Sequence, residues 1–120
     1  MKYKIPKYMK VLKIELEDLE EDLLVMAEIY HQREQKDEIT DYVFLENISL
    51  LQSEIAGIET MLSSLNEIDI EKFTSLVELV EFVDQNFRKK TDAANFPESV
   101  YALVKRKLTK VSKYIRDESD

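Results

Sequence analysis

Residues 31–41, with the sequence HQREQKDEITD, contain one apolar side chain, Ile39, between two long segments that are rich in apolar residues. In the first segment, apolar residues recur at alternating steps of three and four, the spacing of the buried side of an α-helix. This row consists of Met9, Leu12, Leu16, Leu19, Leu23, Met26 and Tyr30. Carried forward, the same spacing places Arg33, Asp37 and Thr40 at core positions, which interrupts the pattern. We therefore predict that the chain turns back within residues 31–41.

The alternative is one continuous helix of about 60 residues in a dimeric coiled coil. Three polar residues in succession at core positions disfavour it. Thr40 or Asp41 is suited to cap a second helix, because its side-chain oxygen can accept a hydrogen bond from a free N–H group of the first turn. The second helix has its own apolar row, out of phase with the first: Phe44, Ile48, Leu51, Ile55, Ile58, Leu62 and Leu65.

Two shorter helices complete the predicted fold. Asp69 is a suitable cap for helix three, and Pro97, whose missing N–H costs nothing in a first turn, opens helix four. Because the connections are short, successive helices should be antiparallel neighbours. The predicted fold is all-α, an antiparallel up-down-up-down four-helix bundle in one domain. Its residues are 1–120, with helices at about 6–35, 41–65, 70–90 and 97–116.

The composition excludes several classes of protein. Of the 120 residues, 44% are hydrophobic and 35% are charged, which is too apolar for a disordered chain. The absence of Cys excludes disulfides and thiolate chemistry. The sequence shows no signal-peptide core and no apolar run of membrane-spanning length, so we expect a cytoplasmic protein that does not enter a membrane.

Charge is distributed unevenly along the chain, whose net charge is −8. Residues 1–14 carry +5, residues 15–84 carry −17 and residues 85–120 carry +4. In the predicted topology the start of helix one meets the end of helix four and forms a basic pole. Such a pole suits nucleic acid or a phosphorylated ligand, although the acidic middle of the chain makes nucleic acid a poor partner. The pole comprises Lys2, Lys4, Lys7, Lys10 and Lys13 from the start of helix one, and Lys105, Arg106, Lys107, Lys110, Lys113 and Arg116 from helix four.

Acidic residues give two candidate metal sites. Glu28 and His31 form the Glu-x-x-His element of di-iron bundles, but the chain has a single His and both residues should lie on the outer side of helix one, so we predict no metal site. The clusters around Glu20-Glu21 and Glu81-x-x-Asp84 resemble the Glu-rich helices of all-α nucleotide pyrophosphatases. That resemblance implies an Mg²⁺-dependent nucleotide hydrolase, although the clusters are not on successive helices as in that family. Without a nucleophile–base pair or a Gly-rich phosphate loop, we predict no catalytic residue and no cofactor.

Helix two carries a stripe of small, uncharged residues on the side away from its apolar row. Such a stripe lets another backbone approach closely, and Gly57 costs about 1 kcal/mol of helix propensity that a close contact could offset. We predict a helix-on-helix contact here, with a partner protein or in a homodimer; a plain small-residue surface is the alternative. The predicted surface comprises Ser49, Leu50, Ser53, Ala56, Gly57, Thr60, Ser63 and Ser64.

Helix one also has apolar residues outside its main row: Val11, Ile14, Leu24, Val25 and Ile29. We expect them to widen the core-facing side, whereas an exposed Ile14 would indicate a contact surface. These features predict a non-catalytic helical interaction module, such as an adaptor, a chaperone-like binder or a small regulatory subunit. It would act by burying a helix face and would self-associate. The alternatives are a binder of nucleic acid or of a phosphorylated ligand at the basic pole, and the Mg²⁺-dependent hydrolase.

Overall fold

The computed structural model describes residues 3–117, so that Lys2 of the predicted basic pole lies outside it. Within these residues the chain forms four α-helices, one short 3-10 helix and no strand, which confirms the all-α fold. The elements are α1 (Lys4–Gln35), α2 (Asp41–Leu65), the 3-10 turn Ile70–Lys72, α3 (Leu76–Ala93) and α4 (Glu98–Asp117).

The reversal predicted within residues 31–41 is confirmed, and the single continuous helix is wrong. The Asp37 backbone adopts φ of 57°, and the Glu38 N–H donates back to the Arg33 carbonyl at 2.9 Å, which ends α1. The Thr40 hydroxyl accepts a hydrogen bond from the Val43 N–H at 3.2 Å and caps α2. The two helices therefore form a hairpin.

Residues later in α1 contact residues earlier in α4. The Lys7 ammonium lies 5.8 Å from the centre of the Tyr114 ring, near the start of α1 and the end of α4. Further along α1, the Glu15 carboxylate binds Lys110 at 2.7 Å. The two helices are therefore antiparallel, as predicted.

The α3–α4 pair is antiparallel as well. Arg88 binds Glu98 at 2.8 Å, and Asp84, one turn earlier in α3, binds Lys105, two turns later in α4. One apolar core joins the four helices. Its fully buried members include Leu12, Leu16, Ile58, Leu65, Leu79, Val83, Phe87, Val104 and Ile115.

Helix three begins later than predicted. Asp69 does act as a cap, but for the 3-10 turn, where its carboxylate accepts from the Glu71 N–H at 3.1 Å. The Ser75 hydroxyl caps α3 by accepting from the Glu78 N–H at 3.2 Å. The start at residue 70 is wrong because Phe73 is extended and Ser75-x-x-Glu78 supplies the sequence of a capping box.

The α1–α2 hairpin extends beyond the α3–α4 pair. Helix α1 has 32 residues and α4 has 20, so at a rise of about 1.5 Å per residue α1 is longer by about 18 Å. Since the start of α1 lies beside the end of α4, the surplus is at the far end. There the buried residues that belong to the common core stop at Leu23 in α1 and begin only at Leu51 in α2. We call the projecting part, residues 24–50, the arm of a molecule that measures 55 × 30 × 18 Å.

The left-handed residue in the α1–α2 connection gives a testable prediction. Asp37→Gly should raise the free energy of unfolding by about 0.5–1 kcal/mol, because Gly adopts a positive φ without the steric cost that Asp incurs. Urea unfolding followed by circular dichroism measures the change. The neighbouring Glu38→Gly, at a position without a positive φ, should lower stability; equal effects of the two substitutions would contradict the prediction.

Candidate functional site

Exposed apolar side chains are concentrated on the arm. Of the thirteen large apolar or aromatic side chains that are exposed among residues 3–117, eight lie there. They are Leu24, Val25, Met26, Ile29, Tyr42, Val43, Leu45 and Leu50. A cluster of this kind is typical of a surface that binds another molecule.

Part of this exposure arises because α4 begins level with the middle of α2 and does not extend along its first half. Gly57 faces α4, where a Cβ on it would lie only 2.7 Å from both γ-carbons of Val100. Leu50 and Val43 precede Gly57 by one and two heptads, so they lie on the same side of α2. Because α4 begins at Glu98, Leu50 and Val43 stay 47% and 38% exposed.

Helix α1 shows the same change from covered to uncovered. Glu15 contacts α4, and Ile29, two heptads later on the same side of the helix, is 45% exposed. Leu19 is a core residue at 8% exposure, whereas Met26, one heptad later, is 45% exposed. Met26, Ile29, Val43 and Leu50 thus continue the side of the hairpin on which α3 and α4 pack. We call these four side chains the open face.

The predicted core row and widened core face of helix one are partly wrong. Met26 belongs to the predicted row but is exposed, and Ile14 is 48% exposed. Leu24, Val25 and Ile29 are exposed too, whereas Val11 does pack against the core. The physical reason is length, because a row of apolar residues shows which side of a helix faces its neighbours but not how far each neighbour extends.

The small-residue stripe of α2 is also partly misplaced. Gly57 and Ser64 are buried, because α2 is covered on its α3–α4 side as well as by α1. The contact that offsets the helix cost of Gly57 is therefore within the chain, with Val100. The remaining members of the stripe lie on the outside or are half-buried: Ser49, Leu50, Ser53, Ala56, Thr60 and Ser63. Several of them line an open groove of about 440 Å³ with Lys90 of α3.

The basic pole forms at the predicted place, since the start of α1 lies beside the end of α4. Two of its lysines share one acid, which offsets one of their two positive charges: the Glu15 carboxylate binds Lys110 at 2.7 Å and Lys107 at 3.3 Å. The hydrogen bond from Lys110 lowers the pKa of Glu15, despite the opposing effect of burial. Four further residues of the pole are exposed and form no ion pair within residues 3–117: Lys10, Arg106, Lys113 and Arg116. The pole is therefore less basic than its sequence suggests.

Residues of the predicted acidic sites lie apart from one another or already form contacts with other side chains. His31 packs edge-on against the Phe44 ring at 5.0 Å, and Glu28 accepts a hydrogen bond from Gln32. The Asp84 carboxylate binds Lys105 at 2.7 Å and accepts the Tyr101 hydroxyl at 2.6 Å. Partial burial would raise the pKa of Asp84, but these two hydrogen bonds outweigh it and hold the pKa below its usual value. Within residues 3–117 no three Asp, Glu or His side chains converge.

Comparison with family models, with curated proteins and with solved structures finds no match. Among residues 3–117, no helix is both long enough and apolar enough to cross a membrane. The open face is an exposed apolar surface that the fold itself does not bury.

A buried tyrosine near Asp84 allows a matched pair of substitutions. Tyr8 is fully buried, and its hydroxyl has no hydrogen-bond partner among residues 3–117, so Tyr8→Phe should raise the free energy of unfolding by about 1 kcal/mol. Burial raises the pKa of Tyr8, as expected for a hydroxyl removed from water. Tyr101→Phe removes a hydrogen bond to a carboxylate and should lower stability by about 1 kcal/mol. Urea unfolding of both variants measures the difference, and changes of the same sign would contradict it.

Proposed function

We propose that this protein is a non-catalytic helical interaction module, and that an amphipathic helix of another polypeptide chain docks on the open face of the arm. One observation supports the proposal above all others. The open face continues the side of the hairpin that α3 and α4 cover outside the arm. Its four side chains, Met26, Ile29, Val43 and Leu50, are nevertheless between 38% and 47% exposed. Burying such side chains is favourable by about 25 cal/mol per Å² of apolar surface removed from water.

The part of the molecule outside the arm shows how a docked helix would be held. There α4 presents Val100, Val104 and Leu108, at steps of four, to the α1–α2 hairpin. A docked helix should present apolar residues at the same spacing, the usual pattern of helices bound in grooves. Met26 adds an unbranched side chain that adapts to the shape of the bound surface.

The position of the arm fits the role of an adaptor or small regulatory subunit. The buried side chains of the common core all lie outside the arm, and Ala27 and Tyr30, both half-buried, are the arm residues that pack against that core. Docking therefore requires no rearrangement of the core. The predicted cytoplasmic location is part of the same proposal.

Site-specific photo-crosslinking tests this function. A photoreactive amino acid is placed at Leu50 on the open face, and separately at Val77, an exposed apolar position on α3. We expect a covalent adduct with another protein chain from Leu50 but not from Val77, in cells that produce the protein. Introducing Ile29→Glu in the same chain should abolish the Leu50 adduct. No adduct at Leu50, or one that Ile29→Glu leaves intact, would refute the proposal.

A further inference from the structure

We infer that the open face binds the arm of a second copy of this chain, with the two arms antiparallel about a two-fold axis. This inference rests on the proposed function and names the docked helix. It places the axis near residues 27 and 28 of α1, so that each α1 runs against its counterpart in the opposite direction.

The order of residues on α1 carries the argument. Asp22, Met26, Ile29 and Arg33 follow one another at steps of four, three and four, and therefore lie along one side of the helix. Read in reverse, the sequence of acid, two apolar residues and base becomes base, two apolar residues and acid. An antiparallel second copy thus places Arg33 opposite Asp22, and Ile29 opposite Met26, twice in each dimer.

Both charges are available for this pairing. Asp22 and Arg33 are exposed, and neither side chain forms an ion pair within residues 3–117. By contrast, Arg88, Asp84 and Glu15, which contact α4, are all paired with charged residues of that helix. An apolar stripe flanked by one acid and one base complements itself only in the antiparallel orientation, since parallel arms would bring like charges together.

The shape of the molecule fits the same arrangement. The space beside the open face begins where the α3–α4 pair ends and stops at the tip of the arm, so its length equals that of the arm. A second arm fills it, and each arm then continues the α3–α4 layer of the other copy. A two-fold axis makes this contact isologous, so that the assembly closes as a dimer.

The size of the contact predicts a weak dimer. Stable interfaces commonly bury about 800 Å² on each partner. Each arm is only about 18 Å long at 1.5 Å per residue, so the contact is smaller than that. We expect a dissociation constant in the micromolar range and a reversible, concentration-dependent equilibrium.

Sedimentation equilibrium with charge-reversal variants tests the inference. The wild-type mass should rise from 14.2 kDa towards twice that value between about 1 µM and about 1 mM protein. Asp22→Arg and Arg33→Asp should each weaken the dimer at least tenfold, because each replaces two attractions by two repulsions. The double variant, and an equimolar mixture of the two single variants, should recover dimers within about threefold of wild type. Circular dichroism establishes that each variant keeps its helices.

Three outcomes would overturn the inference. A wild-type mass of 14.2 kDa at every concentration would exclude self-association. A dimer that charge reversal does not weaken, or that the double variant does not recover, would exclude the antiparallel pairing. An adduct from Leu50 with a different protein, together with a monomeric wild type, would refute this inference and leave the proposed function standing.

Discussion

Ile29→Glu is expected to weaken the dimer by about 100-fold or more, whereas Ile14→Glu should leave it unchanged. In the proposed dimer Ile29 lies against Met26 of the second copy, where a carboxylate would lose its hydration without gaining a partner. The two isoleucines make a matched pair, because both are on α1 and their exposures are 45% and 48%. In the isolated chain either substitution replaces an exposed apolar side chain, so neither should unfold the bundle.

Sedimentation equilibrium of the two variants measures the effect of these substitutions on association. Unfolding by urea, measured in the same buffer, controls for a loss of stability. If Ile14→Glu weakened association as much as Ile29→Glu, the contact would not be at the open face. The outer side of α1 would then be the better candidate.

Gly57→Ala is expected to lower the free energy of unfolding by about 2 kcal/mol. Helix propensity alone predicts the opposite sign, a gain of about 1 kcal/mol for an exposed position. The added Cβ, however, would lie 2.7 Å from both γ-carbons of Val100, a distance at which the helices must move apart. Val100 cannot turn away easily, because a β-branched side chain in a helix has one strongly preferred rotamer.

Urea unfolding measures this change, and Val100 supplies the control. In a Val100→Ala background the γ-carbons are gone, so Gly57→Ala should become neutral or stabilising. An increase in stability from Gly57→Ala in the otherwise wild-type chain would show that α2 and α4 do not approach each other closely at this point.

The turn between α1 and α2 could be predicted because it is a local property of the sequence. Arg33, Asp37 and Thr40 are polar, so a helix that continued through these core positions would bury no further apolar surface. Thr40 also supplies the cap of the next helix. The start of α3 was open to the same kind of reasoning, since Ser75-x-x-Glu78 is a capping box in the sequence itself.

The arm could not be identified from apolar spacing alone. Spacing shows that Met26 and Ile29 lie near the core side of α1, but their exposure depends on where α3 and α4 end. The signal that points to an arm is the difference in helix length, because the first two helices are longer than the last two. Gly57 was misplaced for a related reason: α2 is covered on two sides, while its apolar row reveals only one of them.

Both proposals depend on the projection of the arm, and one distance tests it directly. The chain has no Cys, so Asp37→Cys and Ala94→Cys introduce the only two thiols for spin labels. Both positions are exposed, one in the α1–α2 connection and the other in the α3–α4 connection. Double electron–electron resonance on doubly labelled chains, diluted with unlabelled protein, should give a distance of about 20 Å between the labels. This distance combines an arm of about 18 Å with the lateral spacing of about 10 Å between packed helices. A distance of about 10 Å would place the two connections side by side, as in a bundle of equal helices, and would contradict the projecting arm.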